Sequence, residues 1–179
     1  MRWLLGIAAV IVALVLVVVV VGYLLPKGHV AAVTARVNAP PETVWVALTD
    51  PVSYPKWRPD VTRIEVLAAV GGAPAWREVG RNGTISYAME SLDPPRRFVA
   101  RITDRTLPFG GAWEYVVAPD GGGTRVTITE RGEVYNPVFR FVSRFFMSPS
   151  ATAEAYLRNL GRALGGGTEP QVVAASGGA

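Results

Sequence analysis

The chain has 179 residues, half of them hydrophobic, with 18 basic and 14 acidic residues, one histidine and no cysteine. Without cysteine there is no disulfide framework, thiol nucleophile or zinc–cysteine site. Setting aside Arg2 and Lys27, which flank the first apolar run, leaves 16 basic against 14 acidic residues, a balance too even for a nucleic-acid-binding surface.

From Leu4 to Leu25 no residue is charged, and nearly all are Val, Leu, Ile or Ala. At 1.5 Å rise per residue, about 20 such residues cross a ~30 Å hydrocarbon core, so the run predicts a single transmembrane anchor over residues 1–28. A cleavable signal peptide is the alternative, but its apolar core usually holds only about 7–15 residues. Trp3 and Tyr23 stand at the two ends of the run, as an aromatic belt requires. The flanking charges are nearly balanced. The two-residue N-terminal flank favours an N-terminus inside and a domain outside the cytoplasm of the cell membrane. His29, the only histidine, reads as part of the juxtamembrane linker, so the sequence predicts no histidine-based acid–base or metal chemistry inside the domain. It assigns no metal and no cofactor.

Residues 29–38 are rich in Val, Ala and Thr and predict a first strand. Pro40-Pro41 opens a helix over Glu42–Leu48, with Glu42 at its positive N-terminal end and Val44, Trp45 and Leu48 on one buried face. Asp50-Pro51 stops it, leaving Pro51–Trp57 as a short helical or turn segment. Six further strands follow between turn signals: Val61–Leu67, Ala75–Gly80, Thr84–Glu90, Arg97–Asp104, Ala112–Ala118 and Thr124–Glu133. Asn136 caps a final helical region, Pro149 interrupts it, and the stronger helix is Ser150–Leu164. Residues 165–179 are Gly/Ala/Ser-rich and predict a disordered tail. The expected class is α+β: a curved antiparallel sheet of about seven strands around a long C-terminal helix, spanning residues 29–164.

The words APPETVWVALTDPVSYPKWRPDV (Ala39–Val61), DPPRR (Asp93–Arg97), LPFGGAWEY (Leu107–Tyr115) and GGGTRVTITERGEV (Gly121–Val134) resemble the START-like (SRPBCC) superfamily, in its polyketide cyclase/dehydrase and lipid-transport branch. The likeness covers about residues 30–164. It implies a helix-grip fold with a hydrophobic cavity between sheet and C-terminal helix. The superfamily includes lipid carriers, receptors and cyclases, so the resemblance specifies fold more than function. The anchor departs from the usual soluble member and adds weight to a lipid-related role.

Hairpin arithmetic supplies the inward face independently. Pairing Val117 with Val126 sets Tyr115 opposite Ile128 and Trp113 opposite Glu130. Pairing Arg81 with Thr84 around Asn82-Gly83 sets Glu78 opposite Tyr87 and Trp76 opposite Met89. Around Asp93-Pro94, Met89 meets Phe98, Tyr87 meets Ala100 and Ile85 meets Ile102. The expected ligand-contacting residues are Trp57, Arg58, Trp76, Tyr87, Met89, Phe98, Trp113, Tyr115 and Ile128, with Tyr54 and Trp57 hooked on the cavity mouth. A filled core is the competing reading of that aromatic wall. Glu78 and Glu130 share the inward parity and are the catalytic candidates, against a structural role in which each meets water or an arginine such as Arg58 or Arg131. The apolar cluster Val138, Phe139, Phe141, Val142, Phe145 and Phe146 either closes one end of the sheet or forms a lid or membrane-dipping edge. The leading expectation is therefore a membrane-anchored binding module for a lipid or other hydrophobic small molecule rather than an enzyme. The alternatives are a cyclase or dehydratase using Glu78, Glu130, Tyr87 or Arg58, and a protein-interaction or stress-response module without ligand.

Overall fold

The computed structural model describes residues 2–81 and 83–175. Helix α1 (Arg2–Leu24) carries the apolar run; its residues up to Val17 are exposed, and from Val18 it becomes partly covered. Strand β1 (Gly28–Val37) leads away from it, and helix α2 (Pro41–Thr49) follows, buried through Val44 and Leu48 as the spacing predicts. The Asp-Pro break becomes a 3₁₀ turn, Pro51–Lys56. Five strands then run as a meander: β2 (Val61–Val70), β3 (Ala73–Gly80), β4 (Gly83–Asp93), β5 (Arg97–Ile102) and β6 (Phe109–Asp120). Strand β7 (Gly123–Val134) completes it. Helices α3 (Pro137–Phe146) and α4 (Ala151–Ala163) are split at Pro149, and Asn136 caps α3 by accepting a bond from the Phe139 amide at 3.0 Å.

All strand pairs are antiparallel, in the order β2-β3-β4-β5-β6-β7-β1-β8. The eighth strand, β8 (Gln171–Val173), lies in the segment expected to be disordered. It pairs with Ala32–Thr34 of β1, and Thr168 and Gly167 also bond to the β1 backbone. The sheet of about seven expected strands thus has an eighth, and residues 171–173 are paired where the composition predicts a loose tail. After six antiparallel pairs β1 would remain an open edge, and an open edge is a ready template for another strand; Gln171, Val172 and Val173 supply one. Residues 176–179 lie outside the described residues.

The β6–β7 register is the predicted one, with Tyr115 opposite Ile128 and Trp113 opposite Glu130. The other two hairpins slide by two residues. Gly80 rather than Arg81 closes the β3–β4 turn, so Glu78 faces Ile85 and Trp76 faces Tyr87; Asn82, expected at the turn, lies outside the described residues. Any side chain at Gly80 would collide with the Asp60 carbonyl, and the Arg81 amide donates to that same oxygen at 3.0 Å, which pins the turn one residue early. In β4–β5 a bulge between Met89 and Ser91 shifts the ladder, so Tyr87 meets Ile102 and Met89 meets Ala100. Up to Met89 both slips are even, which keeps Trp76, Tyr87 and Met89 on the predicted inner face; past the bulge the β4–β5 ladder is displaced by three, with Leu92 opposite Phe98. The outward arginines pair on the sheet surface: Arg97 with Glu114, Arg101 with Glu90 and Arg125 with Asp120.

The core fills one part of the space between sheet and α4. Val33, Val37, Val126, Ile128, Phe98 and Tyr115 from the sheet meet Val44 and Leu48 of α2 and Ala153, Tyr156, Leu157 and Leu160 of α4. Phe98 and Tyr115 stack at 4.3 Å between centroids, and Trp45 meets Phe98 edge-on.

Candidate functional site

Two polar arrangements lie on the inner side of the sheet, one packed against the core and one lining a cavity. The first is built on Arg58, which follows the 3₁₀ turn and is buried. Its guanidinium donates to Glu78 Oε1 at 3.0 Å and to Asp60 Oδ2 at 2.7 Å, and lies 5.0 Å from the Tyr156 ring centroid and 5.2 Å from that of Tyr54. Burial alone would favour loss of its proton; Glu78 and Asp60 outweigh that and hold the guanidinium more firmly protonated. Trp76 Nε1 also donates to Glu78, at 3.2 Å. Glu78 is therefore satisfied by an arginine and an indole, the structural role weighed for it. Tyr54, Trp57 and Tyr156 pack edge to face around the same arginine, and the Tyr54 hydroxyl donates to the Leu48 carbonyl at 2.7 Å. Tyr54 is buried and Trp57 packs on the core, so neither forms the cavity mouth expected of them. The Asp-Pro break directs them inward onto α4.

The second arrangement lines a cavity of about 720 Å³. Its walls are the ends of β1, β6 and β7 nearest α1, the inward residues Ile85, Tyr87 and Ile102, and helix α3 with the start of α4. Phe109, Trp113, Phe139 and Met147 make it largely apolar, while His29, Glu130, Ser143 and Arg144 bring polar groups to it. This is the usual composition of a small-molecule pocket, and the volume falls within the common range of about 300–1,000 Å³.

His29 corrects the sequence reading. It is the second residue of β1 rather than linker, two positions before Ala31 on the inward face. Its Nε2 lies 3.5 Å from Glu130 Oε1 inside the cavity wall. Gly132, its partner across the ladder, gives the imidazole room: a side chain there would strike the ring. Bonding to Glu130 raises the His29 pKa above the ordinary histidine value, although its partial burial works against that. Histidine acid–base chemistry is thus available in the domain. Burial pushes the Tyr87 phenol far above the usual tyrosine range, so it stays a neutral donor. Among the described residues no group of three His, Cys, Asp or Glu side chains is placed to hold a metal ion.

Of the residues expected to touch ligand, Tyr87 and Trp113 line the cavity. Trp57, Arg58, Trp76, Met89, Phe98, Tyr115 and Ile128 lie in the packed region beyond it. Glu130 is in the cavity wall and Glu78 is not, so the two glutamates do not converge on one pocket. Phe109, at the start of β6, is not among the expected ligand contacts, and Phe139, Ser143, Arg144 and Met147 are not because the α3 region reads as one apolar cluster. The amphipathic split of α3 is visible only in the alternation of Phe139, Ser143 and Met147 with Val138, Val142, Phe145 and Phe146.

The joint between α1 and the domain is also built from one buried arginine. Arg140 of α3 donates to the carbonyls of Gly22 (3.0 Å) and Leu25 (3.2 Å) at the end of α1, and to those of Val134 (3.0 Å) and Tyr135 (3.1 Å) after β7. The last carbonyls of a helix have no partner within it, and a cation there also meets the favourable end of its dipole. Gly22 permits the approach, since a side chain there would collide with the Pro137 carbonyl.

The model of the family described as "Polyketide cyclase / dehydrase and lipid transport" matches residues 29–165. No match was found among curated protein sequences. Among solved structures, the chain is similar to a START superfamily protein from Mycobacterium smegmatis (19% identity, 76% of this chain and 97% of that one, TM-score 0.61). It is similar also to a protein from Thermus thermophilus, TTHA0849 (22% identity, 76% and 97%, TM-score 0.63), and to the Zhui aromatase/cyclase from Streptomyces sp. R1128 (15% identity, 76% and 93%, TM-score 0.61). At these identities the likeness is one of fold: an α+β, START-like, open antiparallel sheet closed by a C-terminal helix, preceded here by an apolar helix.

Proposed function

The chain belongs to the polyketide cyclase/dehydrase and lipid transport family, and from that premise we propose that it is a membrane-anchored module holding a lipid or other hydrophobic small molecule in the cavity between sheet, α3 and α4. One observation carries the reading: the apolar cavity lies at the end of the domain nearest α1, lined in part by Leu25, Pro26, Lys27 and Gly28 of the connection itself. A ligand with low water solubility gains from a pocket beside the bilayer, because the aqueous part of its path is short. Helix α1, 23 residues and about 34 Å long, is the anchor, with the N-terminus inside and the domain outside the cytoplasm. That Arg140 ties the end of α1 into the domain supports an anchor that is retained rather than cleaved.

The reading is tested by native mass spectrometry of the full chain extracted in mild detergent. The parent is expected to carry lipid-sized adducts, and Ile102→Trp, which fills the cavity opposite Tyr87, is expected to lose them. Adducts equal in parent and variant would refute cavity binding. A second reading, proton-transfer catalysis, is favoured by the His29–Glu130 pair beside Tyr87 in the same cavity, and one solved structure of similar fold is described as an aromatase/cyclase. In that case His29→Gln would abolish turnover of a bound ligand while leaving its adduct in place.

A further inference from the structure

Helix α3 has two unlike faces. Phe139, Arg140 and Ser143, with Met147 at the C-cap, line the cavity or hold the α1 joint. Val138, Val142 and Phe145, spaced by three or four residues, lie on another face and are exposed, and Phe146 at the border of that face is 76% exposed. A soluble surface seldom leaves so many large apolar side chains contiguous and bare. The only charges on α3 are Arg140, buried at the joint, and Arg144, exposed beside the cavity; no acidic side chain stands on the helix.

What covers the bare face is indicated by the neighbour of α3. It is the element on which α1 packs, and the part of α1 that loses exposure is Val18, Val19, Val21 and Gly22, inside the apolar span. Val18 to Gly22 is about 6 Å of helix axis. An amphipathic helix lying in a membrane interface buries its apolar face about 5–10 Å deep, with basic side chains at headgroup level. The two depths agree.

We propose that α3 is an interfacial helix whose Val138–Val142–Phe145–Phe146 face is seated in the outer acyl layer of the bilayer, with Arg144 among anionic headgroups. The occupant of this face is the lipid surface, continuous with the surface of α1. Because the other face of α3 is a wall of the cavity, ligand enters from the membrane, between α3 and the connection Leu25–Gly28, and not from water. This rests on the proposed anchor and gives the cavity its supply route.

The chain has no cysteine, so single cysteines report cleanly. Full-length protein carrying Val12→Cys (α1), Phe146→Cys (α3) or Val46→Cys (α2), each labelled with an environment-sensitive fluorophore, is reconstituted into vesicles of phosphatidylcholine and phosphatidylglycerol. Labels at positions 12 and 146 are expected to emit blue-shifted light, to be quenched by spin label on the acyl chains and to resist aqueous iodide; position 46 is expected to do the reverse. Should Phe146→Cys compromise folding, Val142→Cys is expected to read the same way. If position 12 is quenched by lipid spin label while 146 and 142 behave like 46, α3 is not interfacial, and the anchor and cavity readings stand. If position 12 also escapes the lipid quencher, the anchor falls and the inference with it. Protection of 146 from both quenchers that scales with protein density would put a second copy on α3 and overturn the proposal.

Discussion

The inner side of the sheet is solid in one region and hollow in another, although aromatic residues line both. Around α4 the side chains of Phe98, Tyr115, Tyr156 and Ile128 interlock with α2, and the charged Arg58–Glu78 pair is closed over by Tyr54, Trp57 and Trp76. Near α1, Tyr87, Trp113, Phe109 and Ile102 line open space, because α3 stands across the strand ends as a wall. The difference lies in what faces each wall. A helix packed face-on fills its side of the sheet. A short helix held at one end by Arg140 and bared on its far side leaves a gap. Aromatic content alone therefore does not distinguish pocket from core.

The comparison is broken most severely in the solid region. Phe98→Ala removes a fully buried ring and is expected to destabilise the domain by about 3–5 kcal/mol, read by thermal or denaturant unfolding of detergent-solubilised protein. Next is Arg140→Ala, which strips four carbonyls of their donor; the two that are fully buried, of Gly22 and Val134, cost about 1–3 kcal/mol each when left unpaired, so a loss of at least about 2 kcal/mol is expected, together with faster protease cleavage between α1 and β1. Ile102→Trp points into open space and is expected to change stability by less than about 1 kcal/mol while abolishing ligand retention. A drop as large as that of Phe98→Ala would mean that the hollow region is already full.

The smallest effect concerns pH. Glu130 raises the folded-state pKa of His29 above the unfolded value of about 6.5. The pair therefore contributes its full stability below that unfolded value and loses it as pH rises through the folded one. His29 is the only histidine, so its imidazole resonances are unambiguous. Their titration midpoint is expected above 6.5, moving down in Glu130→Gln; an unchanged midpoint would dissolve the pair.

Much of this was legible in the residues. Period-two alternation and Gly/Pro/Asp turns placed the strands, and the β6–β7 register followed from one turn. The two slipped hairpins kept Trp76, Tyr87 and Met89 inward because both slips are even there, the odd step in β4–β5 coming only past the bulge at Met89–Ser91. The site was less legible. Tyr87 and Trp113 share a periodicity with Met89 and Tyr115, and only the position of α3 decides which pair meets open space. His29 was hidden by its nearness to the span, although parity counted back from Val33 and Ala31 puts it on the inward face. Strand β8 was hidden by composition, since its pairing partner is an edge created by the rest of the sheet.

The central claim, that ligand occupies the hollow region and not the aromatic core, is tested most directly by residue-resolved photo-crosslinking of the full chain in vesicles containing a photoactivatable phospholipid. Adducts are predicted on Tyr87, Ile102, Trp113 and Phe139, with Met89, Phe98 and Ile128 unlabelled. Adducts on Met89, Phe98 or Ile128, or labelling confined to α1, would contradict it.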